Sequence, residues 1–224
     1  MAANTKNSQP VSSPSTDKNP PSSWMRFVEG FRIVTTRVVA VLGVFLIIFC
    51  DYAWMKNGVA ETSLELVGVF LIVIGITGRL WCSVYIAGYK YTTLIQEGPY
   101  SMTRNPLYFF SFLAIVGLAL TTKMFTLALI VALIFAFYYP YVILGEERKL
   151  LKLHGEPFAD YCRRVPRFWP RLSQLSEPEH YSVNTKLLRR TFNDGMGFML
   201  FYAFIRIMEK VHAAGWVPVW AHLY

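Results

Sequence analysis

Three clusters in this 224-residue chain gather polar side chains closely enough to bind a ligand or move a proton. The first reads Gly98-Pro99-Tyr100-Ser101-Met102-Thr103-Arg104-Asn105-Pro106-Leu107-Tyr108, a turn, a cation, an amide and two phenols ahead of an apolar run. A helix beginning near Asn105 would offer unpaired N–H groups and a positive dipole end, and Arg104 adds a fork suited to a carboxylate or phosphate. The same residues also suit an interfacial belt, with Tyr100 and Tyr108 at head-group level and Arg104 on a lipid phosphate. The second cluster is Glu146-Glu147, directly after an apolar arm. A carboxylate at a low-dielectric boundary can bind a cationic group or take a proton; the alternative is a solvated helix end beside Arg148 and Lys149. The third cluster runs from Leu153 to Pro170, with aromatic residues alternating with basic ones and Pro166 and Pro170 ending any helix. It is expected to fold back against a membrane face, as a lid or a surface anchor. His154 titrates in the range of a general base, but beside Gly155 it reads as an exposed turn residue.

The framework around these clusters can be read from the composition. The chain is 54% hydrophobic and only 16% charged, with a mean hydropathy of +0.36. That excludes a disordered or fibrous chain and is too apolar for an ordinary soluble domain. The net charge is +8, but the cations sit beside apolar blocks, which points to an anionic membrane surface and not to nucleic acid. Cys50, Cys82 and Cys162 are far apart and have no metal-ligand spacing, so reduced thiols and no metal site are expected.

Residues 1–23, rich in Ser, Pro, Asn and Thr, form an expected disordered tail. Two transmembrane helices are expected within 24–86, at 33–54 and 64–86, each about the length that crosses a 30 Å hydrocarbon core. Gly68, Gly75 and Gly78 in the second are spaced for close approach of a neighbouring helix. Arg79 near its end reads as a snorkelling cation, in preference to a pocket-facing charge. Residues 109–120 and 124–144 form a tight helical hairpin around Thr121, Thr122 and Lys123, and Pro106 is placed in a first helical turn, where its missing N–H is harmless. The polar region 145–194 carries ten Lys or Arg residues, so it and the N-terminus are assigned to the cytoplasm. Residues 173–224 form a C-terminal extension whose apolar stretch, 195–208, is a fifth span or an interfacial helix, its length and Arg206 favouring the latter.

In this order and spacing the three clusters resemble the integral-membrane isoprenylcysteine carboxyl methyltransferases and the related phospholipid N-methyltransferases, over about residues 85–170. The residues that carry it are Gly98-Pro99-Tyr100, Arg104-Asn105-Pro106-Leu107-Tyr108, Glu146-Glu147 and Gly155 through Tyr161 to Val165-Pro166-Arg167-Phe168. The resemblance implies an all-α, multi-pass helical bundle of four or five spans, with a methyltransferase core at 87–172. It implies S-adenosyl-L-methionine as cofactor, held in a cytoplasm-facing pocket, and a lipophilic substrate entering from the bilayer. Thr93, Leu94 and Ile95 would line the adenosine, and Tyr100 would close that side. Asn105, Pro106, Leu107 and Tyr108 would hold the cofactor, with Arg104 near its carboxylate or the substrate's polar head. Glu146 would reach the cofactor's amino group and Glu147 would support it, or accept a proton from an amine substrate. The chain departs from the pattern at Asn105, where the family often has His, and at Val142, where the eukaryotic prenylcysteine enzymes place an Arg. An amide still donates and accepts hydrogen bonds.

Two other classes stay open. Sterol and steroid reductases, which use NADPH, share a Gly, aromatic, Tyr-Cys and Val-Pro run like residues 155–166, although they have more spans. A membrane protein that keeps the scaffold and binds a lipid without turnover is the other. Binding of S-adenosylhomocysteine, of NADPH, or of neither separates the three.

Overall fold

A run of apolar residues without a polar break becomes helix wherever the backbone must satisfy its own hydrogen bonds, and the chain does this repeatedly. In the computed structural model, which describes residues 40–52, 58–86, 93–181 and 183–223, the elements in order are α1 (Ala40–Phe49), β1 (Cys50–Tyr52), α2 (Val59–Ile86), α3 (Pro99–Met102), α4 (Pro106–Thr121), α5 (Phe125–His154), α6 (Glu156–Arg164), a 3-10 turn (Leu172–Gln174), α7 (Thr185–Ala213) and β2 (Ala221–Leu223). The chain divides into two compact units, residues 1–42 and 43–224. All elements from β1 to β2 belong to the second. The expected tail, 1–23, lies outside the described residues.

Helices α2 and α5 are long and apolar enough to cross a membrane, and α1 and α4 are shorter apolar helices. The mostly helical expectation holds, with one correction: β1 and β2 pair as a two-stranded parallel sheet, Cys50 opposite Ala221. The first expected span therefore stops being helix at Phe49 rather than Trp54. Phe49 itself stacks on Trp220 at 4.4 Å, so tertiary pairing with the C-terminal segment overrides the apolar run.

The α2–α4 contact is made by small residues. A Cβ at Gly68 would lie 2.7 Å from the Thr121 side chain and 2.8 Å from the Gly117 carbonyl, and one at Gly75 would lie 2.6 Å from Ala114. Only glycine permits that approach. Pro106 stands at the start of α4 as expected. Two elements run longer than the hydropathy suggests. Helix α2 starts at Val59, which brings Glu61 into the helix as well. Helix α5 continues past residue 144 to His154, so Glu146 and Glu147 lie inside a helix and not at its end. Gly155, at φ +59, then ends α5.

Helix α7 differs most from its expectation. It covers 29 residues and runs antiparallel to α2: Gly195 meets Ile76, Phe198 lies over Arg79, and Tyr202 and Arg206 reach Glu65. The interfacial reading considered 195–208 alone and missed the polar first turns that complete the helix. One face of α7 packs against α2, while Phe192, Met196, Met199, Leu200 and Ile207 stay exposed.

Candidate cofactor pocket

Gly98 has φ +58, and a Cβ there would lie 2.3 Å from the Tyr85 ring, so glycine is required on both counts. It turns the chain into α3, where Pro99, Tyr100, Ser101 and Met102 are all buried. The segment after α6 straps this turn down. The Gly98 N–H donates to the Ser176 carbonyl at 2.7 Å, the Arg104 N–H to Pro166 at 2.9 Å and the Arg171 N–H to Met102 at 3.0 Å. The Thr103 hydroxyl donates to Phe168 at 3.1 Å and the Asn105 amide to Arg167 at 2.9 Å. Pro166 and Pro170 end the helix and free this segment to cross over, as their type predicts.

These constraints leave a cavity between the 93–108 segment, α5 and α6, with about 750 Å³ of empty space, open solvent at its mouth included. Thr93, Leu94 and Ile95 form one wall. Tyr100, Arg104 and Asn105 line the floor together with Pro106, Leu107 and Tyr108 from the first turn of α4. Glu146 and Glu147 face in from α5. Every residue to which the resemblance assigned a role at the cofactor or substrate thus lines one cavity; His154 and Arg79 do not. Sequence reasoning did not select Ile86, Leu150, Phe158 or Tyr161, which complete the lining. Leu150 stands one turn beyond Glu146 on α5, and Phe158 and Tyr161 are i, i+3 neighbours on α6, so helical spacing was the available signal.

The electrostatics are uneven. Glu147 is clasped by Arg104 at 3.3 Å and by Arg167 at 3.1 Å. Arg167 was not foreseen, because nothing in its spacing ties it to residue 147. The Tyr161 hydroxyl donates to the Tyr100 carbonyl at 2.7 Å. Burial raises both phenols above the usual tyrosine range, Tyr100 the more completely buried, while Arg104 partly offsets the rise at Tyr161. Both remain protonated donors at neutral pH. The Tyr100 hydroxyl and the Arg104 Nε are buried without a hydrogen-bond partner. Buried donors left unpaired cost about 1–3 kcal/mol each, which a ligand can recover.

Comparison with known proteins agrees with this pattern. The chain is 37% identical over 203 residues to the nickel-cobalt-cadmium resistance protein NccN of Alcaligenes xylosoxydans xylosoxydans, covering 91% of this chain and 94% of that one. It is 35% identical to the cobalt-zinc-cadmium resistance protein CzcN of Cupriavidus metallidurans, over 84% of this chain and 87% of that one. Among the described residues no group of three or more His, Cys, Asp or Glu is placed to hold a metal ion. No solved structure matches. The phospholipid methyltransferase family model matches residues 58–157, from the start of α2 through the carboxylate pair to the first turn of α6, and the chain belongs to that family.

Proposed function

We propose that the protein is an integral-membrane methyltransferase that uses S-adenosyl-L-methionine and methylates a lipophilic acceptor entering from the bilayer. The observation that carries this is the pairing, in one cavity, of unpartnered buried donors with a carboxylate on the facing helix: the Tyr100 hydroxyl and Arg104 Nε on one side, Glu146 on the other. The residues present fit the cofactor. Leu94 and Ile95 offer an apolar wall to a nucleoside, Arg104 a cation to a carboxylate, and Glu146 an anion to an ammonium group. When bound, the cofactor supplies an electrophilic methyl group and its own neutral leaving group.

This chain's residues then have to bind, orient and exclude water. Alignment of an acceptor about 3 Å from the methyl group can supply several kcal/mol of barrier lowering. Glu147, tied to two guanidinium groups, fixes Arg104 and the strap against α5 rather than standing free. An acceptor already anionic asks no base of the site; an amine must lose a proton to a carboxylate such as Glu147. By the positive-inside rule the pocket end, with the basic residues of 145–194, faces the cytoplasm. The acceptor is sought among lipophilic carboxylates, amines and thiols, and the names of the two relatives support seeking it in a heavy-metal resistance setting.

The test is calorimetric titration of S-adenosylhomocysteine into the purified protein in detergent, with NADPH in parallel. Micromolar binding of the former, lost in Glu146→Gln, is the expected outcome. Binding of NADPH alone would make the protein a reductase, and silence from both in a folded sample would leave a non-catalytic lipid binder.

A further inference from the structure

Arg79 carries a charge that no carboxylate among the described residues neutralises. It lies seven residues before the end of α2 at Ile86, about 10 Å along the helix axis. One of its terminal nitrogens donates to the Ser111 hydroxyl on α4, which itself donates to the Leu107 carbonyl at 2.6 Å. Its guanidinium lies over the Phe198 ring of α7, 5.7 Å from the centroid. No carboxylate pairs with it among the described residues. Asp194, one turn earlier on α7, is exposed and forms no ion pair with it. Its Nε is buried with no hydrogen-bond partner. Lys123 and Arg104 are treated differently: the first touches three carboxylates and the second one.

The level of this charge identifies what neutralises it. One turn nearer the helix end, Glu177 accepts hydrogen bonds from the Trp81 indole at 3.1 Å and the Tyr85 hydroxyl at 3.4 Å. That is an interfacial aromatic level, where a bilayer passes from head groups to acyl chains. Arg79 sits just beneath it, held inward by Ser111 instead of extending toward water as a snorkelling side chain would. Within two turns of Arg79 and Phe198 the same helices also carry exposed apolar side chains: Val73 on α2 and Met196 and Met199 on α7 are about half exposed. A guanidinium with free donors, at the head-group boundary and beside apolar surface, matches one membrane component, a phosphate carrying acyl chains.

We propose that Arg79, with Ser111 and Phe198, forms a site between α2, α4 and α7 for the anionic phosphate of a membrane phospholipid, separate from the cofactor cavity. The lipid's phosphate takes the unpartnered guanidinium donors and its chains cover the apolar flanks of α2 and α7. The site does not depend on the methyltransferase reading, since none of its three side chains lines the cofactor cavity.

The test is thermal unfolding of the full chain in detergent with added phosphatidylglycerol, diacylglycerol of the same chains, or soluble glycerol phosphate. Phosphatidylglycerol should raise the midpoint of the wild type by several degrees and diacylglycerol should not. Arg79→Gln should weaken apparent phosphatidylglycerol affinity about tenfold or more, and Arg79→Lys, which keeps the charge, should retain part of it. Should Arg79→Gln fail to fold, the retained lysine variant and the phospholipid that co-purifies with it and with the wild type carry the comparison. Equal stabilisation of wild type and Arg79→Gln, or an equal effect of soluble glycerol phosphate, would overturn the lipid site. Loss of S-adenosylhomocysteine binding in Arg79→Gln with phosphatidylglycerol binding unchanged would overturn it as well, by assigning Arg79 to the cofactor.

Discussion

The two ends of the helical bundle handle charge in opposite ways. At the hairpin end Lys123, only 3% exposed, reaches Glu61 at 2.6 Å, Glu209 at 2.8 Å and Glu65 at 3.7 Å. Arg206 joins Glu65 at 3.1 Å and Glu209 at 2.5 Å, and the Tyr52 hydroxyl donates to Glu61 at 3.1 Å. Two cations and three carboxylates from α2, the α4–α5 turn and α7 thus satisfy one another. At the pocket end two arginines share Glu147, and the Tyr100 hydroxyl and Arg104 Nε are left over. A network closed on itself holds helices together; one with surplus donors is poised for a ligand. Buried polar groups among the described residues therefore divide into those paired within the protein and those without a hydrogen-bond partner.

The structural group is most vulnerable at Lys123. Replacing it by Met leaves the buried Glu61 without its cation and Glu65 and Glu209 with Arg206 alone, and a loss of about 3 kcal/mol is expected, read from chemical or thermal unfolding in detergent. Survival of Lys123→Met with wild-type stability would show the network to be dispensable. Burial pulls the Lys123 ammonium down, but its hydrogen bonds to Glu209 and Glu61 prevail and hold it above the ordinary lysine value of 10.5. Because the folded value is the raised one, this stabilisation is complete below pH 10.5 and is lost as pH rises through the folded value. The alkaline decline in stability should be shallower in Lys123→Met, and an unchanged slope would assign it to other groups.

At the pocket end the expected losses are in binding rather than folding. Glu146→Gln should weaken S-adenosylhomocysteine about tenfold, some 1.4 kcal/mol, with the unfolding midpoint unchanged. A lowered midpoint with intact binding would move Glu146 to the structural class. Two phenols probe the division further. Tyr161→Phe deletes a made hydrogen bond and should cost about 1 kcal/mol of stability without ligand. Tyr100→Phe deletes an unmade one, so the ligand-free protein should be no less stable while ligand affinity falls a few-fold. Equal stability losses in the two would mean that the Tyr100 hydroxyl has a partner after all. The smallest effect is expected from Arg163→Gln. This side chain is 62% exposed in its pairings with Glu156 and Asp160, and unfolding should change by no more than about 0.5 kcal/mol.

Much of this was legible along the chain. Pro106 marked the start of α4, and Pro166 and Pro170 the strap, because each acts on the backbone within a turn of itself, whereas the end of α5 was placed ten residues too early. The cavity residues were legible for a different reason: their order and spacing resembled a family pattern, and the structure brings them together. Lys123 was not legible as anything but part of a short, nearly neutral link, since its partners are 58, 62 and 86 residues away in sequence. Arg79 was read as a snorkelling cation because residue type and position along a helix give its depth and not its neighbours.

The order of amino acids alone sets the solvent of this protein, its helices and the identity of the residues around its cavity, because hydropathy, glycine and proline act locally and the motif is contiguous in three short pieces. Packing was needed to settle that α7 lies along α2, that 50–52 pairs with 221–223, and which cations are neutralised. Those outcomes depend on distances between segments far apart in the chain, and the Coulomb and hydrogen-bond energies that fix them exist only once the helices are assembled.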